Sequence, residues 1–187
     1  MRYVAGALCA LLLWPGVVYA ETLEPRAVQY DFEEKQDSTT KSCNVILTLL
    51  SMPAPEVVKF SFTEVSGNGV SAPIAVGFYL DVGDFQFANG KPASIQRAKL
   101  RTAAFLSTSF NTPGRFYTSP QDDGSVFVGT GNPDDAGPFI LAFGAGDFTL
   151  SFQRDGPEVS RAYHVKDGPP LAVSNKLLAC SERAFIP

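Results

Sequence analysis

Along most of this chain apolar side chains recur at every second position in short runs, a period that suits strands with one buried and one wet face. Val28-Gln29-Tyr30-Asp31-Phe32 and Val58-Lys59-Phe60-Ser61-Phe62-Thr63 both carry it. Cys43-Asn44-Val45-Ile46-Leu47-Thr48-Leu49-Leu50 is more continuously apolar, which predicts a central strand covered on both faces. Further strands are predicted at residues 74–82, 84–88, 104–110, 125–129, 148–154 and 158–166. Asn89-Gly90 tolerates the positive φ of a tight hairpin, and Asp155-Gly156 offers the same between Phe152 and Val159. The fold class is therefore mainly β, an antiparallel β-sandwich first and a small barrel second.

Two segments break the period. Pro133-Asp134-Asp135-Ala136-Gly137-Pro138 leads into Phe139-Ile140-Leu141-Ala142-Phe143-Gly144, which predicts a short helix with acids in its first turn and Gly144 past its end. A strand starting at Phe139 is the competing expectation. Residues 171–184 contain no Gly or Pro and carry Leu171, Leu177 and Leu178, which predicts a C-terminal helix.

The first twenty residues combine Arg2, an apolar run over 4–13 and the ending Val18-Tyr19-Ala20, the build of a secretory signal peptide. The run is shorter than the roughly 20 residues of a membrane span, and Pro15-Gly16 interrupts it. Residues 21–187 are then expected to form a single domain exported to the periplasm or the extracellular space. No later stretch is apolar for long enough to cross a bilayer as a helix, so no integral span is expected. Loss of residues 1–20 also removes Cys9 and Trp14, leaving Cys43 and Cys180 as a predicted disulfide in an oxidising compartment. Neither cysteine has the close-spaced or electropositive setting of a redox pair.

Fifteen basic residues less Arg2 leave 14 against 19 acidic ones, a net charge of −5, which argues against nucleic-acid binding. The charge is unevenly spread. No acid occurs between Asp84 and Asp122, while Lys91, Arg97, Lys99, Arg101 and Arg115 all do. As a strand, Arg97-Ala98-Lys99-Leu100-Arg101 places three cations on one face, a stripe suited to an anionic envelope lipid, a glycan or an acidic protein. A solvated face balanced by acids elsewhere is the plainer reading.

Other constellations carry less. Asp122-Asp123 and Asp134-Asp135 supply oxygens but match no calcium loop, and turn and helix-start roles explain them; no metal or cofactor is expected. Ser38-Thr39-Thr40-Lys41 has the Ser-x-x-Lys spacing without its companion motif. Gly129-Thr130-Gly131 and Gly144-Ala145-Gly146 read as turns, not as nucleotide loops. His164, the one histidine, is the base a small hydrolase would have to use, with no Gly-x-Ser-x-Gly elbow beside it. No catalytic residue is assigned.

From Ile74 onward, Val76-Gly77-Phe78-Tyr79-Leu80 with Asp81-Val82-Gly83, then Asn89-Gly90-Lys91-Pro92, the apolar helix ending Gly144-Ala145-Gly146, and Phe148-Thr149-Leu150-Ser151-Phe152 follow in order. This order resembles the invasion-associated locus B family of Gram-negative bacteria. The resemblance implies an exported β-sandwich linked to the envelope and to host-cell invasion, with no catalytic residues to carry over. The chain departs from that family in lacking a Trp near its mature start and further cysteines. The expected function is envelope association or ligand binding without catalysis. A secreted hydrolase using His164 and an eight-stranded outer-membrane barrel are the alternatives.

Overall fold

The computed structural model describes residues 21–36, 38–51, 55–67, 73–156 and 160–184. The predicted signal segment 1–20 and the predicted strand residues 158–159 lie outside them. Five strands run in sequence: β1 (Glu21–Leu23), β2 (Ala27–Gln36), β3 (Thr40–Ser51), β4 (Glu56–Gly67) and β5 (Pro73–Ala88). After them come β6 (Lys91–Arg97), β7 (Leu100–Ser107), β8 (Tyr117–Pro120), β9 (Val126–Thr130), α1 (Pro133–Ala145), β10 (Phe148–Arg154), β11 (Arg161–Val165) and α2 (Leu171–Ala184). A seven-stranded sheet has the order β2-β3-β4-β5-β9-β8, with β6 on the distal half of β5. A four-stranded sheet, β1-β11-β10-β7, packs over it, all pairs antiparallel except β1 with β11. The sheets form a sandwich and do not close into a barrel, which removes the architecture that an outer-membrane reading requires.

Period-2 patterning fills the space between the sheets. Val45, Leu47 and Leu49 of β3 meet Val58, Phe60 and Phe62 of β4, and Phe105, Phe148 and Leu150 close the core from the smaller sheet. Helix α1 inserts Phe139 and Phe143 among these rings: Phe143 stacks on Phe62 at 4.9 Å, and Phe139 meets Phe105 edge-on at 5.1 Å. Its start has Pro133 and the acids Asp134 and Asp135 in the first turn, as the sequence suggests, and the structure adds the cap, the Asn132 side chain accepting from the Asp134 amide at 3.2 Å. The helix runs through Gly144, however, and Gly146 at φ 76° takes the cap. Helix α2 lies on the inner face of β2, β3 and β4, tied by the Cys43–Cys180 disulfide with Cα atoms 5.9 Å apart.

Several expectations need correction. The 74–82 and 84–88 segments are one strand, because Gly83 stays extended opposite Val57. The 104–110 segment is β7 from Leu100 to Ser107, and Phe110 lies beyond it, against Phe116 and Phe139. Gly129 and Thr130 belong to β9, not to a turn. Strand β3 is central but covered on one face only: Cys43, Val45, Leu47 and Leu49 point inward, while Asn44, Ile46 and Thr48 face outward. Asn89 (φ 53°) and Gly90 (φ 73°) do form the tight turn between β5 and β6.

Between the layers sits a charged cluster that no local sequence pattern announces. Glu56 of β4, fully buried, accepts hydrogen bonds from Arg154 and from the Tyr163 hydroxyl, and Arg161 Nη1 lies 3.0 Å from it. Arg154 also donates to both oxygens of Asp84, at 2.7 and 2.8 Å. This bidentate pair holds the Asp84 carboxyl below its usual range, while burial pushes the Tyr163 hydroxyl well up. The cluster bolts β4 and β5 to β10 and β11.

Candidate functional site

The inner face of the seven-stranded sheet is covered by the smaller sheet and both helices. Among the described residues, nothing covers the middle of its outer face, which is concave. Antiparallel register decides which side chains meet there. Asn44 lies opposite Thr63, and Ser61 lies opposite Ile46 on one side and Tyr79 on the other. Tyr79 in turn lies opposite Phe127. The concavity holds about 470 Å³ and is lined by these residues from β3, β4 and β5 together with the Arg97 and Asp123 side chains at its rim.

The floor is a preformed hydrogen-bond network. Thr63 donates its hydroxyl to Asn44 Oδ1 at 2.8 Å, and Asn44 Nδ2 reaches Ser42 Oγ at 3.2 Å and the Glu33 carbonyl at 3.3 Å. Beside it runs a ridge of aromatic rings, with Tyr79 and Phe127 4.8 Å apart and Phe127 and Tyr117 5.6 Å apart. Tyr79 is 40 % exposed and Tyr117 56 %, so two ring faces remain available to solvent. The ridge leans on glycine: the Phe127 ring lies over Gly77 and Gly129, where any Cβ would collide with it.

The five predicted cations scatter. Arg97 ends β6 and reaches into the concavity, bridging Asp81 at 3.2 Å and Asp123 at 3.1 Å. The chain then leaves one sheet for the other through Ala98 and Lys99, so the predicted stripe is cut in two. Lys99 and Arg101 border a separate shallow recess, where Arg101 pairs with Asp155 at 2.7 Å. Arg115 pairs with Asp135 at 3.2 Å and lies over the Phe110 ring. Lys91 opens β6, at the far end of the β5–β6 hairpin.

The acids have local duties. Asp123 accepts from the Ser125 hydroxyl (2.6 Å) and amide (3.0 Å), which with Arg97 keeps its carboxyl below the usual range. Asp135 accepts from the Asn132 amide side chain at 3.0 Å, at the start of α1. Among the described residues no three of His, Cys, Asp and Glu gather as metal ligands would. His164 Nε2 lies 2.8 Å from Asp147 Oδ1; among the described residues that is its only side-chain hydrogen bond, and no hydroxyl or thiol joins it.

Alternation marks Asn44, Ser61 and Thr63 as wet positions in the sequence, yet register alone brings them together. Comparison with protein-family models, with curated proteins and with solved structures gives no match to this chain.

Proposed function

We propose that this chain is an exported, non-catalytic binding protein of the cell envelope that holds a polar ligand on the outer face of its seven-stranded sheet. One observation carries the reading: the Asn44–Thr63 network and the Tyr79 ring share a single open concavity, and Phe127 and Tyr117 continue the aromatic ridge beside it. Inner faces of a sandwich exclude water, whereas this outer face carries ordered polar groups, with Asn44 and Thr63 nearly buried in its floor and, among the described residues, nothing lying over its middle. The signal-like segment 1–20 and the disulfide support export, and the resemblance to the invasion-associated family agrees with an envelope or host-facing role. Arg97 is the one residue of the predicted basic set that belongs to this face.

The test is co-sedimentation of the purified protein with peptidoglycan sacculi and with lipopolysaccharide-containing vesicles. The protein should pellet with one of them, and Ser61→Trp, which fills the floor from an outward position, should abolish pelleting without changing the melting temperature. Pelleting by Ser61→Trp at the parent level, or by neither protein, would overturn the assignment. The hydrolase alternative keeps one supporting observation, the His164–Asp147 pair. A broad ester and glycoside screen in which His164→Ala behaves like the parent removes it.

A further inference from the structure

Resting on that reading, we infer that the ligand is an uncharged carbohydrate chain and not an anionic one. The charges of the concavity balance: Glu33, Asp81 and Asp123 face Lys35, Lys59 and Arg97. Two of these pairings are closed within the protein, Lys35 with Glu33 at 3.0 Å and Arg97 across Asp81 and Asp123. An anion entering here would find no net cationic surplus, since the charge of Lys59 is offset by the second of the two acids that share Arg97.

The polar groups are of the kind a sugar uses. Ser42, Ser61, Thr63 and Asn44 each combine donor and acceptor capacity, matching hydroxyls that also do both. The apolar partner for a sugar's C–H face is the ridge, where Tyr79 and Tyr117 present exposed rings on neighbouring parts of the sheet. A peptide strand would seek backbone groups at a sheet edge, which this face does not offer. A nucleic acid would require net positive charge. From β3 to β8 the face crosses four strand spacings, about 19 Å, so it accepts a chain of several rings and not a monosaccharide alone.

Residues 21–187 contain no tryptophan and four tyrosines, Tyr30, Tyr79, Tyr117 and Tyr163, so tyrosine emission reads the face in part, and the Tyr79 and Tyr117 variants assign the change to it. The probes are hexasaccharides of β-1,4-linked glucose, α-1,4-linked glucose and β-1,4-linked N-acetylglucosamine, with hexagalacturonate as the anionic counterpart. At least one neutral hexamer should change the emission, with affinity unaltered between about 50 and about 500 mM NaCl, the range over which ionic contacts are screened. Tyr79→Ala should weaken that binding about tenfold, and Tyr117→Ala, at the more exposed ring, should do likewise and serves alone if the first variant does not fold. Thr63→Val should weaken it while Lys91→Ala leaves it unchanged. Binding of hexagalacturonate alone, or of no neutral hexamer, overturns the carbohydrate inference. The Ser61→Trp sedimentation experiment reads the face itself and separates failure of this inference from failure of the binding role.

Discussion

At the scale of single residues, two carboxyl groups respond to their surroundings in opposite senses. Glu64 sits on the inward side of β4 beneath α2, where burial raises its pKa despite a hydrogen bond from Ser181 Oγ at 2.6 Å. Its protonated form is the better tolerated, so this contribution to stability is present at acid pH and is lost as pH rises through the raised value. Glu64→Gln should therefore melt above the parent at about pH 8 and level with it at about pH 4, followed by circular dichroism. Asp84 behaves in reverse, since the Arg154 hydrogen bonds lower its pKa and its contribution is lost as pH falls through that lowered value. Arg154 itself holds the buried Glu56 carboxylate. Arg154→Met should cost about 3 kcal/mol in urea titration, because it takes one of two cationic partners from a buried carboxyl and leaves Arg161 and Tyr163 on it, and adding Glu56→Gln should recover part of the loss. None of this cluster was legible in the sequence: Glu56 and Arg154 are 98 residues apart, and nothing local distinguishes them from solvated strand charges.

At the scale of elements, local chemistry was readable and crossings were not. Asn89-Gly90, the helix start at Pro133-Asp134-Asp135 and the 171–184 helix follow from residues adjacent in sequence, and the structure places all three. The 97–101 segment misled because alternating cations and small residues look the same in one strand as in two half-strands joined by a crossing. The break is set by distant partners, the Ala98 amide donating to the Val82 carbonyl and the Leu100 amide to the Gly124 carbonyl. The outer face was half legible: alternation gave the wet positions, and the pairing of β3 with β4, β4 with β5 and β5 with β9 gave the site. The pairing of β5 with β9 depends on Gly77, where a Cβ would press into the Val128 carbonyl and the Gly129 backbone. Gly77→Ala should destabilise by about 1–3 kcal/mol in denaturant unfolding, the range for overpacking, and should perturb tyrosine emission by displacing Phe127 from its neighbours.

At the scale of the whole molecule, stability should be graded from centre to rim. Amide exchange is expected to be slowest in β3, β4 and β5, whose inward residues are fully buried, and fastest in β6, all of whose residues are exposed. Uniform protection across β4 and β6 would contradict this ordering. Among the described residues no helix is long and apolar enough to cross a membrane. The disulfide spans 137 positions, and Cys43→Ala with Cys180→Ala should cost up to about 5 kcal/mol by the loop-entropy argument, read as a lower denaturation midpoint. That span also sets a sequence of events in time. At ribosomal speeds of about 5–20 residues per second, Cys43 is synthesised on the order of ten seconds before its partner. Through that interval the growing chain holds a free thiol on a face that α2 has yet to cover. A product cut short before Cys180 can never close the bond, so the oxidised molecule is by construction one whose translation ran through to its last helix.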